Sequence, residues 1–173
     1  MTNLEFFSNL RRVAVFGASG AIGSAIINEL NSYETIDDIY AFSRSGVHPS
    51  IPKLRSFHID YNDESSIIAA KKSIDTGISF DLIIVATGVL HSDSILPEKS
   101  LSQYSMENAL WYYKINTIGP SLIIKHFWSL LQKKKPTVIA SICARIGSIE
   151  DNRLGGWYSY RASKSALAMM VKS

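Results

Sequence analysis

The chain has 173 residues, of which 46% are hydrophobic and 19% are charged, and its formal net charge is +3. This composition is typical of a globular domain and excludes a disordered chain. No segment reaches the roughly 20 apolar residues of a membrane span, and Lys133–Lys135 is the only basic run. We therefore predict no membrane partner and no nucleic-acid partner, and we predict no metal site. The single cysteine, Cys143, excludes an intrachain disulfide and favours a reducing, cytoplasmic location.

Apolar strand-like runs alternate with helical patterns along the whole chain, which we treat as one domain over residues 1–173. Strands are predicted at 12–16, 38–42, 54–59, 80–86 and 137–142, and helices at 21–30, 63–74, 103–114, 117–132 and from about 157 onward. Repeated strand–helix units predict an α/β fold with a doubly wound, Rossmann-like parallel sheet. The expected strand order is 3-2-1-4-5, with a ligand crevice between strands 1 and 4.

A glycine-rich loop joins the first strand to the first helix. Glycines allow a tight turn and a close approach of the backbone to a pyrophosphate, and the helix N-terminus offers unpaired N–H groups to an anion. A glycine-rich packing turn without a ligand is the alternative, but the strand before it and the helix after it favour a dinucleotide site. The predicted cofactor contacts in this loop are Gly17, Ser19, Gly20, Ala21, Ile22 and Gly23.

Tyr160 and Lys164 are four residues apart in the last predicted helix. Residues at this spacing lie on one helix face. A lysine ammonium beside a phenol favours the phenolate, so we expect Lys164 to lower the pKa of Tyr160 and to make it a usable general acid or base. The pattern is short and occurs by chance, so its weight depends on the glycine loop at the other end of the chain.

The two motifs together resemble the short-chain dehydrogenase/reductase family, from about Arg11 to the end of the chain. Three further anchors fall in the family's order: Asp60 after the third strand, Thr87-Gly88 after the fourth, and Asn116 in a long helix. The segment from Gly147 to Tyr160 looks like the C-factor-type, carbonyl-reductase-like branch. The resemblance implies that Tyr160 protonates a carbonyl oxygen, that Lys164 binds the nicotinamide ribose, and that Asn116 holds a water in a proton relay. Without the resemblance, Asn116 would be a mid-helix polar residue bonded locally.

The chain departs from the family pattern at several positions. The family's carbonyl-orienting serine aligns with Ala144, so Ser148 is the candidate substitute, and Cys143 is expected to be an inert buried thiol. Ala21 stands where the family usually has glycine. The chain also stops at Ser173, so we expect an incomplete domain that lacks the last strands and leaves the fifth strand as an unprotected edge.

The end of the second strand predicts the cofactor. An acidic residue there bonds a ribose 2′-hydroxyl, whereas an arginine accommodates a 2′-phosphate. The chain has Ser43-Arg44 and no carboxylate, which favours NADP (NADPH) over NAD. The remaining predicted cofactor contacts, implied by the resemblance, are Asp60, Tyr61, Ala86, Thr87 and Gly88.

The sequence thus predicts an NADP(H)-dependent oxidoreductase that interconverts a small-molecule carbonyl and an alcohol. A non-catalytic, truncated dinucleotide-binding or signalling protein is the main alternative, and an isomerase or epimerase using the same Tyr/Lys pair is the third. The large apolar residues of the helices after residue 103 resemble subunit-pairing helices of the family. We therefore expect a homodimer or a larger homo-oligomer.

Overall fold

The computed structural model describes residues 8–46 and 51–173. Five strands are present: β1 Arg12–Phe16, β2 Asp38–Ser43, β3 Leu54–His58, β4 Leu82–Val85 and β5 Val138–Ser141. The α-helices with bounds within the described residues are α1 Ala21–Ser32, α2 Glu64–Lys72, α3 Met106–Tyr113, α4 Gly119–Phe127 and α5 Tyr158–Lys172. A π-helical turn, Lys114–Ile118, joins α3 to α4. Every predicted strand and helix is therefore found, with bounds that differ by a few residues.

The described chain divides into two compact units. One, the sheet unit, runs to Ala86 and includes Ile123–Ser141; the other, the helical unit, comprises Thr87–Leu122 and Ile142–Ser173. The organisation as a single domain stays a prediction.

The sheet unit holds a five-stranded sheet in the order β3-β2-β1-β4-β5. All four strand pairs are parallel. The predicted Rossmann-like α/β fold and its strand order are both confirmed. Within the described residues, β5 pairs only with β4, so it is an edge strand, as expected.

The sheet unit has a core on each side of β1 because neighbouring side chains of a strand point to opposite faces. Val13 and Val15 belong to a buried cluster with Ile27 and Leu30 of α1. Phe16 stacks on Phe42 at 4.3 Å and meets the ring of Phe127 edge-on at 4.8 Å. Residues Val13–Phe16 of β1 are fully buried because they lie between two strands and two layers of side chains. The glycine loop therefore begins at the end of a well-packed strand.

The helical unit packs around α5. Tyr112 of α3 is fully buried and lies edge-on to Tyr160 of α5, with ring centroids 6.0 Å apart. The Tyr112 hydroxyl donates to the Leu90 carbonyl at 2.7 Å. Leu167, two turns along α5 from Tyr160, is also buried. No helix among the described residues is long and apolar enough to cross a membrane.

Candidate active site

The glycine loop turns directly after β1. Gly17 has a φ of 82°, a left-handed conformation that favours glycine. The N–H groups of Gly17 and Ala18 donate to the Phe42 carbonyl at 3.0 and 3.1 Å, and Gly20 N–H donates back to Gly17 O at 3.0 Å. These bonds fix the loop between two strands and direct the next residues into α1.

Gly23 is required by close packing. A Cβ built on Gly23 would lie 2.1 Å from the Gly17 carbonyl oxygen and 3.0 Å from the Ala18 Cα. Real Cβ atoms do not approach backbone so closely, so any side chain here would push α1 away from the loop. The third glycine of the motif is thus explained within the sheet unit by helix–loop contact.

The start of α1 fits an anion. Its N-cap, Gly20, supplies no side-chain hydrogen bond, and the first turn carries no acidic residue. The N–H groups of a first helical turn lack intrahelical partners, and the helix dipole places partial positive charge beside them. Ser19, Ala21 and Ile22 are exposed around this end. The loop therefore fits the diphosphate of a dinucleotide.

Strand β2 ends at a polar turn. The Ser43 hydroxyl accepts from Gly46 N–H at 3.2 Å and lies 3.0 Å from the Ser45 hydroxyl. Arg44 is exposed, and its backbone carbonyl lies 2.7 Å from Nδ1 of His58. None of the described side chains forms an ion pair with the Arg44 guanidinium. Residues 47–50, which come next in the sequence, lie outside the described residues.

Asp60 shapes the turn between β3 and α2. Its carboxylate accepts from the backbone N–H of Asn62 at 2.8 Å and from the side-chain amide of Asn62 at 2.9 Å. The backbone N–H of Asp60 donates to the Ser66 hydroxyl at 2.8 Å. Tyr61, next to it, is half-buried. Ala86 follows β4, and its N–H donates to Phe16 O at 2.8 Å.

In the helical unit, Asn116 is a fully buried anchor within the π-helical turn. Its Oδ1 accepts from Val89 N–H at 2.8 Å, and its Nδ2 donates to Val89 O and to the Ser163 hydroxyl, both at 3.1 Å. The side chain therefore ties the segment after Thr87-Gly88 to α5. π-Helical turns shift the hydrogen-bond register and are frequent at functional sites. The Asn116 side-chain amide is thus engaged with Val89 and Ser163. Its expected role in holding a water stays a prediction.

The Lys164 ammonium is buried and has few hydrogen-bond partners to offset its loss of solvent. It is 4% exposed, and its Nζ donates to the Ile142 carbonyl at 3.2 Å. An ammonium has three N–H donors, and among the described residues only this one acceptor is matched to it. A Cβ on Gly88 would lie 2.8 Å from Nζ, so a side chain at that point would displace the end of the Lys164 side chain. A buried, incompletely satisfied ammonium fits the hydroxyl groups of a ribose.

The pKa values of the Tyr/Lys pair depart in the directions that burial dictates. Burial, and to a smaller extent the electrostatic influence of Cys143, raise the pKa of Tyr160. Burial lowers the pKa of Lys164, against a smaller opposite effect of Cys143. The expectation that Lys164 lowers the pKa of Tyr160 is therefore wrong for this structure. The physical reason is that the Lys164 ammonium donates to Ile142 O, while the phenol is enclosed by the rings of Tyr112 and Trp157. The phenol is thus held as the protonated acid.

Ser148 and Cys143 both lie in the segment that follows β5. Ser148 is exposed at the end of a 3₁₀ turn, Arg145–Gly147, and its hydroxyl accepts from Asp151 N–H at 3.3 Å. Its role as the substitute serine stays a prediction. The expectation that Cys143 is buried is wrong: it is exposed, and its thiol donates to Lys164 O at 3.3 Å.

Ser163 is a site residue that the sequence interpretation missed. It is fully buried, accepts from Asn116, and donates to Tyr160 O at 2.8 Å, while its own carbonyl accepts from Thr117 at 2.8 Å. The available signal was its place between Tyr160 and Lys164, one turn beyond the tyrosine, where only a small polar residue reaches the facing helix.

No protein-family model matches the chain, but single proteins and solved structures are similar to it. The uncharacterized oxidoreductase C663.09c of Schizosaccharomyces pombe is 25% identical over 167 residues, which are 91% of this chain and 64% of that protein. The chain thus spans less than two thirds of this relative's length.

Solved structures share the fold. An NADPH-bound carbonyl reductase from chicken fatty liver is 25% identical, with a TM-score of 0.81, over 94% of this chain and 68% of that one. A protein from Burkholderia multivorans assigned to the short-chain dehydrogenases/reductases, solved with bound NADP, is 23% identical, with a TM-score of 0.81, over 94% and 71% of the two chains.

Proposed function

We propose that the chain is a short-chain dehydrogenase/reductase and an NADP(H)-dependent oxidoreductase that interconverts a carbonyl and an alcohol. The observation that carries the proposal is the pair on α5: a tyrosine whose pKa is raised by burial and, one turn later, a buried lysine with donors to spare. A protonated phenol is the form that donates a proton to a developing alkoxide.

The residues have distinct proposed roles. NADPH, when bound, supplies the hydride. Tyr160 holds the proton that passes to the substrate oxygen, and Lys164 binds ribose hydroxyls through the N–H groups that Ile142 leaves unmatched. The first turn of α1 binds the diphosphate, and Arg44 binds a 2′-phosphate. Gly88 keeps the space in front of Lys164 Nζ open.

Asn116 and Ser163 support the pair without touching the reacting atoms. Asn116 is bonded to Val89 on one side and to Ser163 on the other, and Ser163 donates to the backbone of Tyr160. This chain of hydrogen bonds fixes the rotation of α5 relative to the segment that follows Gly88.

Turnover is the test of the proposal. The oxidation of NADPH is followed spectroscopically against a panel of aldehydes and ketones, and the reverse reaction against the matching alcohols. Turnover with one carbonyl class, lost in Tyr160→Phe, supports the proposal. Tight NADPH binding in calorimetry with no turnover on the whole panel refutes it.

A second function is favoured by one observation. Ala144 offers no hydroxyl, and the Ser148 hydroxyl is engaged with Asp151 N–H. The Ser148 O–H is still free to donate, but the position that aligns with the family's serine supplies no donor to the substrate oxygen. Its absence there suits a protein that binds the dinucleotide and does not reduce a carbonyl. NADPH binding without turnover, unchanged by Tyr160→Phe, is the result expected for this alternative.

A further inference from the structure

Helix α5 begins without a cap of its own. Gly155 and Gly156 each have a φ of 65°, and Trp157, the N-cap, has a φ of 54°. Trp157 provides no side-chain cap, and the first turn carries no acidic residue. A bulky residue in the left-handed region costs free energy and persists only where its surroundings hold it. Some other part of the molecule must therefore hold the start of the helix that carries Tyr160.

Glu98 provides this support from 61 residues earlier in the chain. It is 2% exposed, and its carboxylate accepts from Ser159 N–H at 3.3 Å and from the Ser159 hydroxyl by a short hydrogen bond. Its backbone carbonyl accepts from Trp157 N–H at 2.5 Å. One residue thus satisfies three donors of the first turn. A carboxylate at this point is also favoured by the helix dipole.

The fit around Glu98 is close. A Cβ on Gly156 would lie 3.3 Å from the Glu98 carbonyl oxygen, so the chain passes directly over it. Ser159 is fully buried, and it immediately precedes Tyr160. A shift of the Ser159 backbone therefore moves the phenol with it.

We infer that Glu98 is a positioning residue for Tyr160, which caps α5 across the fold and sets the place from which the phenol donates its proton. The inference rests on the proposed role of Tyr160 as proton donor. Glu98 does not touch substrate or cofactor in this assignment; it acts through Ser159. The side-chain length of Glu98 and its hydrogen-bond acceptors are what hold Ser159, because both carboxylate contacts are hydrogen bonds from that residue.

Three substitutions of Glu98 distinguish the effect of its side-chain length from the effect of its negative charge. Glu98→Ala removes the cap, and because a misplacement of roughly 1 Å can cost about 10²-fold, we expect kcat to fall about tenfold to hundredfold. The KM for NADPH should stay within about twofold, because Glu98 is assigned no contact with the cofactor and its loss should affect the chemical step rather than cofactor binding. Glu98→Gln keeps an acceptor for Ser159 N–H and should retain kcat within about threefold. Glu98→Asp keeps the charge but is one methylene shorter, so it should behave like the alanine variant. Glu107→Ala, an exposed acid in the first turn of α3, is the matched control and should be unchanged.

Hydrogen exchange tests the cap independently of turnover. In Glu98→Ala the amides of residues 157–160 should exchange faster, while those of α3 and of the sheet keep their protection. If the unmodified protein turns over no carbonyl, the proposed function fails and the exchange experiment still decides whether Glu98 holds the helix. If the alanine variant does not fold, Ser159→Ala removes one of the two carboxylate contacts and should lower kcat by about two- to tenfold. Unchanged exchange and unchanged kcat in the folded variants overturn the inference, as does an aspartate variant as active as the glutamine one.

Discussion

At the scale of single residues, Tyr160 is distinguished from its neighbour Tyr158 by what lies one turn further. Tyr160 has Lys164 at that position, whereas Tyr158 has Ala162. We expect Tyr160→Phe to lower kcat for carbonyl reduction by about 10²–10⁴-fold, the usual contribution of a general acid. The affinity for NADPH and the melting temperature should change little, because the ring remains. Tyr158→Phe is the matched control, and retained turnover in Tyr160→Phe would exclude Tyr160 as proton donor.

Arg44 makes a second residue-scale prediction, on the choice of cofactor. It is exposed at the end of β2, where the described residues include no acidic side chain to bind a ribose 2′-hydroxyl. Calorimetric titration should show tighter binding of NADPH than of NADH. Arg44→Ala should remove about 1.5–3 kcal/mol of that preference, the typical strength of a hydrogen bond to a charged group. Arg153→Ala, exposed on a loop of the helical unit, should leave it intact. Equal affinities of the unmodified protein for both dinucleotides contradict the prediction.

At the scale of elements, the contact of α1 with the glycine loop is the most sensitive to added volume. A Cβ on Gly23 would lie 2.1 Å from Gly17 O, while one on Gly20 would lie at 3.3 Å from the same atom. We expect Gly23→Ala to lower the free energy of unfolding by about 1–3 kcal/mol or more, as overpacking does, and to weaken NADPH binding. Gly20→Ala should have the smaller effect on stability. Urea unfolding of both variants is the measurement, and equal midpoints would show that α1 moves freely.

Tyr112 of α3 makes the stability of the fold depend on pH in the alkaline range. Burial, then the electrostatic influence of Glu98 and Tyr160, raise the pKa of Tyr112 to about 12 from its ordinary 10.0. As the pH rises past 10.0, the unfolded chain loses this proton first, while the folded chain keeps it until about 12. Stability contributed by the protonated phenol is therefore present below pH 10 and is lost between these two values.

Tyr112→Phe should make the loss of stability above pH 10.0 less steep. Below that pH it should lower the free energy of unfolding by about 1 kcal/mol, because the hydrogen bond to Leu90 O is lost. Melting temperatures measured at neutral and alkaline pH provide the comparison. Tyr104→Phe, which is 49% exposed, is the control, and an alkaline slope equal to that of the unmodified protein contradicts the prediction.

At the scale of the whole molecule, apolar surface points to association. Tyr112, Ile123, Phe127 and Leu167 are buried, as about half of the apolar helix residues were expected to be, whereas Trp128, Met169 and Met170 are exposed. Met106 and Leu110, one turn apart on α3, are 78% and 61% exposed. Contiguous exposed apolar residues mark interfaces or aggregation sites, so a homodimer or larger assembly, built mainly through α3, α4 and α5 with two-fold symmetry, stays our prediction.

Light scattering at low micromolar concentration is the measurement for this prediction. We expect a dimer or a larger assembly for the unmodified protein. Leu110→Glu should shift it toward the monomer, while Leu154→Glu, on an exposed loop of the same unit, should not. A stable monomer of the unmodified protein would mean that these side chains face water without a partner.

The sequence by itself determined the elements and their order. The apolar runs of β1 and β4 and the glycines between β1 and α1 are local patterns, and a strand–helix alternation permits few parallel topologies. The spacing of Tyr160 and Lys164 likewise placed both on one helix before any tertiary contact was known, because helical geometry depends only on neighbours along the chain.

Only the tertiary structure decided what those side chains meet. Lys164 donates to Ile142 O, Asn116 bonds Ser163 across 47 residues, and Glu98 caps α5 across 61. Ser148 is engaged with Asp151 and Cys143 is exposed, neither of which follows from their positions after β5. Hydrogen bonds between distant residues, and the burial that raises the pKa of Tyr160, arise from packing of the whole fold, and no local pattern records them.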